Sequence, residues 1–195
     1  MTFPHLANIQ DPAALAKDWS GFLQTANDGN EWLYMIIDAA QDERIFSALK
    51  KSSHTRCCLF NEDEVSIAVK SVAPFLVKIK SIDDFIMWCL EEGLHRNWMI
   101  FFTSAEIHVS ELKLHFKRFS VAHTPDGKQY FFRYYDPRIL PAFLTANDQR
   151  GRADFFRRCS LVWVPQISAA GNIQFLQLEA KETTQVVNIP VRCFS

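Results

Sequence analysis

The stretch EWLYMIID, residues Glu31–Asp38, decides the fold, because it is apolar at odd and even positions alike from Trp32 to Ile37. Side chains of a strand alternate between its two faces, so a strand of this kind must be covered on both sides. The stretch NWMIFFTS, residues Asn97–Ser104, has the same character. Together they predict two central strands of a sheet with helices packed against both faces.

Helical and extended patterns alternate outward from these two strands. Asp11 and Pro12 are typical of a helix start, and Trp19 and Phe22 fall on one face of the helix that follows. RCCLF (56–60) and VAPFLVKI (72–79) predict further strands, and Pro74 puts an edge or a bulge in the second one.

The second half of the chain adds a hairpin and closing strands. TPDGK (124–128) predicts a turn between two extended runs, and LVWVP (161–165) and NIQFLQL (172–178) predict two strands near the end. We therefore predict an α/β fold with a mixed, partly parallel sheet flanked by helices, a β-hairpin and a short C-terminal β extension.

The amino-acid composition excludes some classes of function. The chain has 195 residues with 21 basic and 22 acidic side chains, a net charge of −1, so it lacks the positive surface expected of a nucleic-acid or membrane-surface protein. Five cysteines without a C-x-x-C pair, and no apolar run long enough to span a bilayer, predict a reduced cytoplasmic protein. The 17 phenylalanines are a hint of an apolar docking surface.

A catalytic or metal site is not apparent from the motifs. The sequence has no G-x-S-x-G, no glycine-rich phosphate loop and no H-E-x-x-H. Asp38 follows a central strand, where open α/β sheets place catalytic groups, but we interpret it as a structural partner. His108, Glu111 and His115 share one helix face, which we interpret as solvated. Neither a metal nor another cofactor is therefore predicted.

The most aromatic stretch, FFRYYDPRIL (131–140), carries three charges. Asp136 followed by Pro137 predicts a second helix start, with the aspartate as N-cap. Arg133 lies among aromatic rings, which favours pairing with Asp38, with Asp136 or with strand-end carbonyls over a contact with a partner. Arg138 lies in the first predicted turn of the helix, where a cation is disfavoured, so it is the better candidate for an outward contact.

Several blocks together resemble a known family. FRYYDPR (132–138), with IIDAAQDERIF (36–46), APFLVKI (73–79), NWMIFFTS and the later Phe155–Phe156, resembles the conserved domain of bacterial type VI secretion effector chaperones, also called adaptors. The resemblance implies a division into an N-terminal helical segment (1–30), the conserved domain (31–165) and a short C-terminal extended tail (166–195). It also implies motif residues, without saying which of them touch a partner: Arg133, Tyr134, Tyr135, Asp136, Pro137 and Arg138.

The resemblance implies a function without catalysis. A protein of this family holds a toxic effector and loads it onto the VgrG spike or its PAAR cap. The expected partners are therefore an effector and a spike protein, with no nucleic acid, membrane or small-molecule substrate. The alternative is a small cytoplasmic hydrolase that uses Asp38 or a cysteine. Many relatives carry a longer C-terminal lobe thought to choose the cargo, so the short tail here leaves the class of effector open.

Overall fold

A computed structural model describes residues 12–60, 65–123, 126–169, 173–180 and 185–187. Asp11, the predicted cap of the first helix, and half of the predicted C-terminal tail (15 of residues 166–195) lie outside the described residues. No helix among the described residues combines the length and the apolar character needed to cross a bilayer.

Helices and strands alternate along the chain. The helices are α1 (Pro12–Asp28), α2 (Glu43–Lys51), α3 (Ile67–Lys70), α4 (Asp84–Trp88), α5 (Val109–Lys117), α6 (Leu140–Ala146) and α7 (Gln149–Phe155). The strands are β1 (Trp32–Asp38), β2 (Thr55–Cys58), β3 (Pro74–Lys78), β4 (Met99–Ser104), β5 (Val121–His123), β6 (Gln129–Phe131), β7 (Val162–Ile167), β8 (Ile173–Leu178) and β9 (Gln185–Val187).

Seven strands form one sheet in the order β2-β3-β1-β4-β7-β8-β9, and β5 pairs with β6 in a separate hairpin. The α/β class, the hairpin and a C-terminal strand are thus confirmed. Every described strand pair is antiparallel, so the predicted partly parallel sheet is wrong. Apolar residues on both faces of a strand indicate that it is covered on both sides. They do not indicate whether neighbouring strands run parallel or antiparallel, because the connections between the strands determine that.

The sheet separates two apolar cores, as EWLYMIID predicts. Leu33, Met35 and Ile37 of β1 point into one core, together with Trp19 of α1 and side chains of α2 and α4. Tyr34 and Ile36 point into the other, which α5, α6 and α7 cover. All residues of β4 are likewise buried. The double coverage predicted for β1 and β4 is therefore confirmed.

Pro74 does not mark an edge strand. It is the first residue of β3, which lies between β2 and β1. A proline at that position removes no hydrogen bond from the middle of the strand, and its carbonyl still accepts the amide of Leu59 at 2.9 Å. The division into segments 1–30, 31–165 and 166–195 stays a prediction.

Candidate functional site

The sequence blocks that carry the resemblance meet at one end of the sheet. The amide of Asp38, at the end of β1, donates to the carbonyl of Trp98 at 2.8 Å, and the amide of Ala39 donates to the carbonyl of Ala73 at 3.2 Å. Arg133 reaches the same corner from 95 residues away and donates to Asp38. Four separate blocks thus build a single corner of the molecule.

The carboxylate of Asp38 connects the segments that form this corner. It is 3% exposed. Its Oδ1 accepts the amide of Ala40 at 3.0 Å, and its Oδ2 accepts Gln41 Nε2 at 3.2 Å and an N–H of Arg133. Donors thus occupy both carboxylate oxygens, as expected of a structural partner. Asp136 lies farther from Arg133, with 4.0 Å between Nη2 and Oδ2, so Asp38 is the main partner of Arg133.

The FRYYDPR turn, Phe132–Arg138, connects β6 to α6 without itself being strand or helix. The amide of Asp136 donates to the carbonyl of Arg133 at 3.0 Å, and Asp136 Oδ1 accepts the amide of Arg138 at 2.9 Å. Asp136 therefore caps this turn through its side chain, but the prediction that it is the helix N-cap is wrong, because Ile139 holds that position in α6. The helix itself begins later than predicted, at Leu140 rather than Pro137, because a turn closes first.

Arg138 is tied to the same carboxylate. Its Nε donates to Asp136 Oδ1 at 2.9 Å and its Nη2 to Oδ2 at 2.6 Å, while 61% of its side chain stays exposed. Burial alone would raise the pKa of Asp136, but the hydrogen bonds and charge of Arg138 outweigh it and hold that pKa below its usual value. The guanidinium of Arg138 thus compensates the buried charge of Asp136, while most of the Arg138 side chain remains exposed to solvent. A contact between Arg138 and a partner stays a prediction.

The two tyrosines of the turn differ in position. Tyr134 is fully buried and stacks on Phe116 with ring centroids 6.3 Å apart and an interplanar angle of 12°. Burial raises its pKa well above the usual value. Tyr135 is 5% exposed and lies beside Asp38, and burial followed by that carboxylate raises its pKa as well. Tyr134 anchors the turn in the core, whereas Tyr135 lines the open corner described next.

An apolar groove of about 410 Å³ runs beside the turn. We call it the motif groove and define it by Phe60, Val65, Val69, Val72, Val121, Phe131, Arg133 and Tyr135. The rings of Phe60 and Phe131 lie 5.3 Å apart, and Phe131 is 77% exposed. Four of the nine exposed large apolar residues in the described chain, Val69, Val72, Val121 and Phe131, line this groove. Apolar surface is therefore concentrated here.

Sequence reasoning missed one wall of the groove. Helix α3 is only four residues long, with Ser66 capping it through a 3.3 Å bond from the amide of Val69. The available signal was the spacing of Val65, Val69 and Val72, which is i, i+4 and i+7 and places all three on one helical face. Only Val69 lies within α3, with Val65 before it and Val72 after it, and all three line the groove.

The histidine face predicted on α5 is only partly solvated. His108 is exposed, but His115 is 4% exposed and its Nε2 lies 2.8 Å from the carbonyl of Phe155. A carbonyl only accepts, so Nε2 carries the proton, and Nδ1 then accepts from Arg118 Nη2 at 3.3 Å. Burial lowers the pKa of His115. The predicted solvation of His115 is wrong, because α7 packs against that side of α5.

Two of the four described cysteines, Cys89 and Cys159, are poor nucleophiles. Cys58 is buried and Cys57 half-buried, as their alternation across β2 predicts. Burial raises the pKa values of Cys89 and Cys159, which disfavours their reactive thiolate forms. Within residues 12–60 and the other described ranges, no three His, Cys, Asp or Glu side chains come together as metal ligands would.

Residues 33–154 match a protein family described as "Domain of unknown function (DUF4123)". The chain belongs to this family. No curated protein and no solved structure matches the chain. The matched range contains Asp38, the FRYYDPR turn and all residues that define the motif groove.

Proposed function

We propose that this protein is a non-catalytic, cytoplasmic chaperone and adaptor that binds a type VI secretion effector and helps load it onto the VgrG or PAAR spike. The motif groove is the observation that carries the proposal. It combines exposed apolar side chains with the sequence blocks that resemble the adaptor domain. Burial of apolar surface drives most protein association, so such a groove favours a binding role.

The arrangement of charges supports binding rather than chemistry. The carboxylate of Asp38 faces the groove but already accepts hydrogen bonds from Ala40, Gln41 and Arg133. A general base needs a lone pair directed at its substrate, and these donors compete for that position. We therefore favour the adaptor over a hydrolase that uses Asp38 or a buried cysteine.

The decisive test is a charged substitution in the groove with a matched control outside it. Phe131→Lys changes a side chain that is 77% exposed, and Ile167→Lys makes a comparable change at a 49% exposed position on β7. Both variants should fold, because neither side chain is buried. We expect Phe131→Lys to reduce recovery of the effector at least about tenfold in co-purification, the loss of a binding hot spot of roughly 1.4 kcal/mol or more. Ile167→Lys should bind as the unaltered protein does.

Effector and spike are tested separately, with circular dichroism to confirm that each variant is folded. Recovery of both partners with Phe131→Lys at the level of the control would remove the groove from the proposal. Normal secretion of the toxin from a strain lacking this gene would reject the adaptor function itself.

A further inference from the structure

A second cleft, of about 450 Å³, opens between the last residue of β3 and the first turn of α5. Its lining includes Trp32, Lys78, Lys80, His108, Val109 and Ser110, none of which lines the motif groove. The cleft and the motif groove share no lining residue, so a ligand in the cleft is independent of the function proposed above.

Lys78 is the unusual side chain of this cleft. It is 9% exposed, and its ammonium lies 3.4 Å from the centroid of the Trp32 ring. Among the described residues its ammonium forms no hydrogen bond and no ion pair. An ammonium on a largely buried side chain is costly without a counter-charge, and its pKa is lowered by burial and then by the nearby charge of Lys80. The aromatic face offsets only part of that cost.

The beginning of α5 adds a second source of positive potential. The helix runs from Val109 to Lys117, and its N-cap residue, His108, contributes no side-chain hydrogen bond. The amides of Val109 and Ser110 lie in the first turn, where no intrahelical carbonyl accepts from them, so they can donate to another group. The positive end of the helix dipole lies at the same place.

No described carboxylate lines this cleft. Glu106, on the segment before α5, accepts the amide of His108 at 2.9 Å and pairs with Arg158 at 2.9 Å, so its charge is already compensated. Lys80 donates to the carbonyl of Ser53 at 3.2 Å, which leaves its positive charge in place. Glu111, in the first turn of α5, lies 3.8 Å from Arg158 and does not line the cleft. Two ammonium groups and a helix N-terminus thus lie at a cleft whose described lining contains no anion.

We propose that this cleft binds an oxyanion, a phosphate or a carboxylate, held between the ammonium of Lys78 and the first-turn amides of α5. Helix N-termini and lysines are common ligands of both groups, and a charge-assisted hydrogen bond to a buried ammonium is among the stronger ones. Phosphates and carboxylates both offer negatively charged oxygens to these donors, and titrations with each anion distinguish between them.

The test is a titration of the ¹⁵N-labelled full chain at low ionic strength with inorganic phosphate, and separately with acetate. Sodium chloride at equal ionic strength serves as the control. We expect saturable shifts at the amides of Val109 and Ser110. A response to phosphate alone identifies a phosphate site, and a response to both identifies a site that also takes carboxylates. The absence of a saturable response to either anion would overturn the proposal.

Two pairs of variants locate the site. Lys78→Met keeps the apolar stem and removes the charge, and should weaken phosphate binding at least about tenfold. Lys17→Met, at an exposed position on α1, removes the same charge elsewhere and should leave binding unchanged. Equal binding by Lys78→Met and the unaltered chain would refute the assignment.

The second pair does not depend on whether Lys78→Met folds. Ser110 is exposed in the first turn of α5. Ser110→Glu places a tethered carboxylate at the proposed site, and should abolish the phosphate response while raising the melting temperature. Ser110→Gln has nearly the same shape without the charge and should bind phosphate within about twofold of the unaltered chain. A phosphate response retained by Ser110→Glu would contradict the site.

Discussion

The ion pair between Asp38 and Arg133 is expected to couple two parts of the chain that are 95 residues apart. Asp38→Asn keeps the shape and an acceptor for the amide of Ala40, and removes the charge. Arg133→Met removes the guanidinium and keeps an apolar side chain of similar reach. Combined in a double-mutant cycle, the two substitutions isolate the interaction between the side chains.

The magnitude follows from burial. The side chain of Asp38 is 3% exposed and that of Arg133 is 41% exposed. Breaking a fully buried pair costs about 3–5 kcal/mol, because an unpaired charge is left inside. Pairs at the surface contribute about 0–1 kcal/mol. Arg133 can still reach water, so we expect a coupling free energy of about 1–2 kcal/mol, between these limits.

Urea unfolding of the four proteins measures this coupling directly. The pair Asp126–Lys128 serves as an internal control, since its oxygen and nitrogen lie 3.0 Å apart but the side chains are 56% and 68% exposed. Its cycle, with Asp126→Asn and Lys128→Met, should give less than about 0.5 kcal/mol. A coupling for Asp38–Arg133 no larger than that of the control would refute the structural role assigned to this pair.

Two further predictions concern buried polar side chains outside this pair. His115→Gln should lower the free energy of unfolding by about 1–3 kcal/mol, because the carbonyl of Phe155 loses its fitted donor, whereas the exposed His108→Gln should change it by less than about 0.5 kcal/mol. Because native His115 resists protonation, its contribution is complete above its unfolded pKa of about 6.5 and declines as the pH falls below that value. In urea titrations from pH 7 to pH 5, His115→Gln should flatten this decline, and an unchanged pH dependence would contradict the buried neutral imidazole. Asp136→Ala should lower the free energy of unfolding by about 1–3 kcal/mol, and Asp136→Ser should recover only part of the loss, since a hydroxyl can cap the amide of Arg138 but cannot pair with its guanidinium. Full recovery in the serine variant, by the same unfolding assay, would show that the Arg138 pair contributes nothing.

The local pattern of the sequence was sufficient for the class of fold. Residues 32–37 are apolar on both faces, and any strand with that pattern must be covered twice, whatever its neighbours are. The bond from the amide of Arg138 to the carboxylate of Asp136 could also be predicted, because it is a local interaction between residues two apart, whereas the start of α6 at Leu140 could not. For Arg133 the sequence favoured Asp38, Asp136 or strand-end carbonyls over a contact with a partner, since an unpaired guanidinium among rings is costly.

Strand direction, the buried His115 and the motif groove were decided by tertiary structure. The sequence of β1 is compatible with parallel or antiparallel neighbours, and the path of the connections selects one of them. His115 is polar and lies beside the apolar residues Leu112 and Phe116 of α5, and it is buried because α7 packs there and supplies the carbonyl of Phe155. Val65, Val69 and Val72 would fill a core in another arrangement, but here the hairpin and the FRYYDPR turn leave them lining an open groove. Local sequence specifies which side chains must leave water, whereas the assembly of distant segments determines which of them remain exposed.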